Sequence, residues 1–178
     1  MQADILEPAA PSPTTPRKWG HSAFGIAVLL VLFAVREMGG MPVGFVLDPN
    51  REHCLPDFHL GLFVRHKPAL LHQNDLVYFK PIPELSYVRD PYVLKRVAAV
   101  PGDHVVIKNQ VVSVNGHEVV HGLPLASLYK HTTAELERDE TVPQGRLFVI
   151  GNADLSDDSR YWGYLDAAKV VGTATRLF

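Results

Sequence analysis

The sequence predicts a mainly β protein, a small antiparallel β domain behind one N-terminal transmembrane helix. Compact apolar runs of strand length recur through the chain after residue 75, and turn signals separate them. One long apolar run stands apart near the N-terminus. At 178 residues there is room for one modest domain with appendages.

Residues 1–16 carry four prolines, Pro8, Pro11, Pro13 and Pro16, among Ala, Ser and Thr, with no apolar period. With Arg17 and Lys18 they read as a disordered tail over 1–18, on the cytoplasmic side. From Trp19 to Val35 an apolar run of 17 residues is broken only by Gly20, His21, Ser22 and Gly25. That is the short edge of the roughly 17–25 residues that span a bilayer. Extension to Met38, with Arg36 snorkelling, gives an anchor over 19–38. A cleaved secretory signal would share the basic flank and the core Ala23–Val35, but Arg36-Glu37-Met38 offers no small-x-small cleavage site. The uncleaved anchor is the better reading. Arg17 and Lys18 on one side nearly balance Arg36 and Arg51 on the other, so orientation rests on the short tail being the natural cytoplasmic end.

Beyond Gly39-Gly40 the pattern turns to strands. Leu76–Phe79 and Tyr92–Val100 are apolar runs of strand length. His104–Lys108 and Val111–Val114 form a hairpin through Asn109-Gln110, and the Asn115-Gly116 turn leads into His117–Val120. Leu147–Ile150 and Lys169–Leu177 are later strands. Residues 125–140 are polar and charged and read as part of a surface excursion over 121–142, with helical character.

Composition removes several function classes. A formal net charge of −2, with no basic stripe interleaved with aromatics, gives no nucleic-acid partner. No period marks a repeat protein. The single cysteine, Cys54, excludes an internal disulfide framework, and in an oxidising compartment a lone thiol needs a chemical reason. His53, His59, His66 and His72 are six or seven residues apart, which does not gather ligands on one helix or strand face. Neither a metal nor another cofactor is expected.

Three segments concentrate chemistry: Cys54-Leu55-Pro56, the stretch Lys95-Arg96-Val97-Ala98-Ala99-Val100-Pro101-Gly102-Asp103, and Gly151-Asn152 through Gly163. At these residues the chain resembles the type I signal peptidase (leader peptidase) family. Lys95 to Asp103 is similar to the family's general-base box, and Asp158-Ser159-Arg160-Tyr161-Trp162-Gly163 to its last box. Asn74 to Phe79 resembles the strand between nucleophile and base, and Cys54-Leu55-Pro56 with Gly61-Leu62-Phe63 resembles the short conjugative-transfer branch. The resemblance covers roughly residues 45–178 plus the anchor. It implies a domain over 39–178 of the signal-peptidase type, in the bacterial inner membrane, single-pass, with this domain on the periplasmic face. The implied partners are the membrane and precursor proteins with leader peptides, a conjugative pilin among the candidates.

The resemblance implies Cys54 as nucleophile, Lys95 as general base and Ser156 beside Lys95, fixing its rotamer. Asp158 and Arg160, two apart, can pair to support that loop. Substrates of the family present small residues to apolar pockets, and Val and Ala side chains near Lys95 can form them here. Two departures stand out. Cys54 occupies the serine position, with no Ser or Thr from Met38 to Leu85, and Glu52 replaces a small hydroxyl residue that serves as an oxyanion donor. The backbone N–H of Cys54 remains as a donor.

The chemistry is self-consistent. A lysine is a base only as the neutral amine, so the fold must take it out of water, as an apolar strand would. Arg96 should face the other way, because side chains alternate along a strand. A thiol yields its proton far more readily than a serine hydroxyl, so the pair can also rest as thiolate and ammonium. The plainer readings are a buried structural cysteine and a snorkelling lysine. The alternative functions are a pilin peptidyl cyclase or transacylase, and a non-catalytic pseudo-peptidase that retains precursors, the latter suggested by Glu52 and Cys54. A self-cleaving repressor of the related Ser–Lys fold is disfavoured by the anchor and by the lack of a DNA-binding segment.

Overall fold

The computed structural model describes residues 20–37, 43–47, 55, 58 and 60–177. Two compact units are present, Met1–Met41 and Pro42–Phe178. The first holds helix α1 (Gly20–Glu37), 18 residues long. At about 1.5 Å per residue it rises roughly 27 Å, short of the about 30 Å of a bilayer's hydrocarbon core. Its side chains Val28, Leu29, Leu30 and Val31 are consecutive and exposed, so apolar surface faces every direction around the axis. Among the described residues no helix is long and apolar enough to cross a membrane. The expected membrane span over 19–38 is therefore not supported: the described residues give a helix over Gly20–Glu37, and residues 19 and 38, like the tail 1–18, lie outside the described residues.

The second unit is β-rich, in two antiparallel sheets. Its strands are β1 (Val43–Leu47), β2 (Leu60–Val64), β3 (Leu76–Phe79), β4 (Val93–Ala99), β5 (His104–Lys108), β6 (Val111–Val114), β7 (His117–His121), β8 (Arg138–Thr141), β9 (Arg146–Ile150), β10 (Leu165–Asp166) and β11 (Val170–Arg176). A four-residue helix, α2 (Ser159–Trp162), lies between β9 and β10. The larger sheet runs β1-β2-β11-β3-β4-β9-β10 and the smaller β7-β6-β5-β8. Every described strand pair is antiparallel.

Two apolar cores follow from this layout. One gathers Val105, Ile107, Val112 and Val114 of the small sheet with Phe148, Ile150 and Tyr161. The other gathers Val77, Phe79, Val93, Val97, Val149 and Leu165 of the large sheet, with Ile82 and Leu85 from the β3–β4 connection. Trp162 packs against both. Strand β4 serves both cores because the register shifts between Val97 and Ala99. Val97 faces one core, while Ala98 and Ala99 join the other. Such a bulge re-aims side chains where strict alternation would not.

The hairpin turns agree with the sequence. Asn115 (φ 51°) and Gly116 (φ 83°) are both left-handed, the backbone that a two-residue turn between twisted strands requires. Asn109 (φ 50°) and Gln110 (φ 64°) make the same turn between β5 and β6. The excursion differs from expectation. Instead of a solvated helical segment, residues 121–142 bury Leu123, Ala126, Leu136 and Val142 in the first core. Their strand β8 pairs with β5 along its whole length. The edge position explains the misleading polarity, since the backbone of β8 is paired while Asp139, Glu140 and Thr141 face solvent.

Gln110 is a non-glycine residue in left-handed backbone, a conformation that costs roughly 1–2 kcal/mol for L side chains. Gln110→Gly should stabilise the fold by up to about 1 kcal/mol after glycine's own entropy loss, seen as a higher urea unfolding midpoint. An unchanged or lower midpoint would reject this account of the turn.

Candidate active site

Lys95 sits in the middle of β4, opposite Val77 of β3, with β9 on the other side. It is only 1% exposed. Its Nζ donates a hydrogen bond to Ser156 Oγ at 2.8 Å, and Ser156 is equally buried. A buried polar group needs such a partner, because the bonds it had with water are lost on folding. The next residue faces away, as strand alternation predicted. Arg96 is half-buried, its Nε donating to Asn152 Oδ1 at 3.1 Å and its Nη1 to Asn74 Oδ1 at 3.0 Å. Burial lowers the Arg96 pKa below the usual guanidinium value.

Ser156 belongs to the connection from β9 to α2, and buried polar contacts hold that connection. Asp158 caps α2 by accepting from Arg160 N, and also accepts from Gly151 N. Arg160 closes a two-pronged ion pair, Nε to Asp158 Oδ1 at 2.8 Å and Nη2 to Asp158 Oδ2 at 2.9 Å. Both side chains are fully buried. The remaining guanidinium bonds reach Gly122 O and Ser156 O, each at 3.0 Å. Burial alone would lower the Arg160 pKa, but the hydrogen bonds and charge of Asp158 outweigh it and raise it above the ordinary value. Ser159 Oγ accepts from Val149 N, fastening α2 to β9.

Of the sequence-predicted residues, the structure brings Lys95 and Ser156 together, and separately Asp158 and Arg160. Cys54 and Glu52 lie outside the described residues, as do His53 and His59. Val97, Ala98 and Ala99 are packed into the two cores and are at most 3% exposed, so they do not face open space beside Lys95. Among the described residues, no group of three or more His, Cys, Asp or Glu side chains is placed to hold a metal ion.

Sequence reasoning missed what anchors the chain near Cys54. Leu55 and Phe58 are buried and closed into a turn by Phe58 N donating to Leu55 O at 3.0 Å. The Phe58 ring lies over Gly61 of β2. A Cβ at Gly61 would clash with Phe58 Cζ and sit 3.1 Å from Thr175 O, so only glycine admits the ring in this position. The signal was present as Gly61 within an otherwise apolar strand, a mark of close approach.

Two substitutions test this framework. Gly61→Ala must displace Phe58 and should lower the thermal midpoint, and Phe58→Leu added to it should restore part of the loss. Strictly additive effects would show that the ring and the glycine are uncoupled. Asp158→Ala strands a buried guanidinium and should cost about 3–5 kcal/mol in urea unfolding. A loss below about 1 kcal/mol would mean that water reaches Arg160, contrary to its burial.

Comparison with known proteins places these residues in a family. The chain is 34% identical to signal peptidase I of Bacillus caldolyticus over 110 residues, 55% of this chain and 56% of that protein. It is 33% identical to probable signal peptidase I-1 of Synechocystis over 119 residues, 64% of this chain and 56% of that protein. The chain thus spans little more than half the length of these two relatives. Against signal peptidase I of Leptolyngbya laminosa the identity is 26% over 193 residues, covering 99% of this chain and 88% of that one. A crystal structure of a signal peptidase I from Enterococcus faecalis V583 matches with a TM-score of 0.38 and 28% identity, over 60% of this chain and 97% of that chain. The family model for signal peptidase, peptidase S26, matches residues 18–178, a stretch that takes in α1 and every strand described above. The chain therefore belongs to the signal peptidase family, peptidase S26.

Proposed function

We propose that this protein is a membrane-attached signal peptidase that removes leader peptides from translocated precursors, with Cys54 as nucleophile and Lys95 as general base. The observation that carries the reading is the buried Lys95 amine on Ser156 Oγ at 2.8 Å. A lysine placed so deep in a β core, with its head group on a hydroxyl, is poorly explained as packing, since an apolar side chain would fill the space without desolvating an amine. Cleavage is proposed to begin as Lys95 takes the Cys54 thiol proton. The sulfur attacks the carbonyl carbon of the scissile bond, and the Cys54 backbone N–H steadies the oxyanion. The carbon–nitrogen bond breaks, Lys95 returns the proton to the leaving amine of the mature chain, and a thioester joins the leader to Cys54. Water then attacks the thioester, giving the carboxylic acid and the free thiol. Ser156 orients Lys95, while Asp158 and Arg160 support the segment.

Attachment is proposed to use α1, whose all-round apolar surface suits lipid better than water. With flanking residues counted, the anchor would cover 19–38 and the tail 1–18 would lie in the cytoplasm. The domain over 39–178 would then act at the outer face of a bacterial inner membrane, in the short conjugative-transfer branch. The cysteine favours one variant of the reaction. Thioesters accept amines readily. Where the scissile bond lies before a C-terminal tail, the tail would leave as the amine and the pilin would be held as the thioester. Attack by its own N-terminal amine would then close a ring and free the thiol, making the enzyme a peptidyl cyclase.

Intact-mass analysis of a co-expressed candidate pilin precursor tests both. Wild type should remove the leader, whereas Cys54→Ala and Lys95→Ala should each lower cleavage at least about a hundredfold. Full cleavage by Cys54→Ala would end the catalytic reading. A product one water lighter than the processed linear chain would establish cyclisation, and a linear product alone would reject it. Precursor left intact in every lane yet retained in a pull-down would favour a binding protein.

A further inference from the structure

Asp157 follows Ser156, is 6% exposed, and has both carboxylate oxygens occupied by phenols. The Tyr87 hydroxyl donates to Oδ2 and the Tyr129 hydroxyl to Oδ1, each at 2.6 Å. Short hydroxyl–carboxylate bonds of this kind are the strong class. The two tyrosines come from unrelated parts of the chain. Tyr87 lies in the β3–β4 connection, just after the 3-10 turn Pro83–Leu85, whose Leu85 is buried in the second core. Tyr129 lies in the excursion between β7 and β8, its ring stacked on Tyr161 at 5.4 Å and 11°. Each phenol is thus presented by a segment that has its own apolar anchor.

Segment 153–158 has few other restraints on this side. Leu155, the residue before Ser156, is 71% exposed and adds no apolar anchor. Ser156 N donates to Ala153 O, and Arg160 Nη2 donates to Ser156 O, which fixes the backbone from within the segment and from α2. Asp158 reaches the first residues of the excursion through Arg160 and Gly122 O, but none of these bonds ties the segment to the β3–β4 connection or to the part of the excursion that carries Tyr129. The Asp157 carboxylate does.

We infer that Asp157 is a positioning residue: its carboxylate, gripped by Tyr87 and Tyr129, fixes the segment so that Ser156 Oγ stays on Lys95 Nζ. The charge is essential to the grip. An asparagine of the same shape accepts through one oxygen only and presents an NH2 group to the second hydroxyl. Burial, with the hydrogen bond and charge of Asp157 added, pushes the Tyr129 pKa well above its usual value, so the donor keeps its proton. The catalytic consequence rests on the peptidase reading above, but the clamp does not.

Trace acetylation of the full-length protein with acetic anhydride, read lysine by lysine by peptide mass analysis, tests the clamp without any substrate. In Asp157→Asn, and independently in the Tyr87→Phe/Tyr129→Phe double variant, Lys95 labelling should rise on the order of tenfold, the factor that loss of a charge-assisted hydrogen bond carries. Labelling of exposed Lys108 and Lys169 should stay constant, the unfolding midpoint should fall by no more than the loss of that hydrogen bond accounts for, and Asp157→Glu should recover part of the protection. Unchanged Lys95 labelling overturns the inference, as does an equal rise at every lysine, which marks a general structural role. With a precursor that wild type cleaves, kcat should fall and KM hold in the same variants. If wild type cleaves none, the peptidase reading fails while the labelling still decides the clamp.

Discussion

Taking one ion out of water costs several kcal/mol, and Arg160 and Asp158 are both fully buried. Such a pair persists only when every donor and lone pair finds a partner, and that requirement shapes the surrounding backbone. Gly151 N, Gly122 O and Ser156 O must all converge on the pair. The start of the excursion, the end of β9 and the connection to α2 are thereby locked to one another. Apolar replacements could pack the same space with less penalty, but they would not draw three separate backbone segments to one point. Specificity of arrangement is what the buried charges contribute.

That arrangement determines where Ser156 stands, and Ser156 is the meeting point of two independent constructions. Lys95 is carried by β4, held between β3 and β9 in the middle of the large sheet. Ser156 is carried by an irregular connection, which would ordinarily be mobile. A hydrogen bond of 2.8 Å between them requires the connection to be placed to within a few tenths of an ångström. The bulge after Val97 contributes from the sheet side, because it ends the alternation that put Lys95 inward and sends Ala98 and Ala99 to the other core. Loss of either construction would break this hydrogen bond between two buried side chains, so the two are under one energetic constraint.

Much of this was legible in the sequence and some was not, for physical reasons. Strands β3, β4, β5, β6, β7, β9 and β11 announce themselves by apolar runs, and both hairpins by short polar turns. Strands β1 and β2 carry apolar residues too, yet they border residues 38–42 and 48–59, where Gly, Pro and His obscure any period. Strand β8 hides because an edge strand needs only its backbone paired, so Arg138-Asp139-Glu140-Thr141 keeps a surface composition. In the site, Lys95 and Ser156 are visible as parts of recognisable boxes. The phenols on Asp157 are not, since partners 28 and 70 residues from Asp157 leave no local pattern.

The proposed thiol chemistry fits a site divided in this way. A serine hydroxyl gives up its proton reluctantly, so a serine enzyme depends on its base most strongly at the moment of attack. A thiol needs less help there. In the proposed reaction amine expulsion is unaffected by that change, because the leaving nitrogen must still receive a proton, the step proposed for Lys95. The demand on lysine therefore moves from the first proton transfer to the second, where its position relative to the peptide nitrogen matters more than its strength as a base. A lysine immobilised by the sheet and by Ser156 is suited to that later task. The turn of Leu55 and Phe58, seated on Gly61, gives the segment beside Cys54 an anchor on β2. Strand β2, which carries Gly61, and strand β4, which carries Lys95, are joined through β11 and β3 in one sheet.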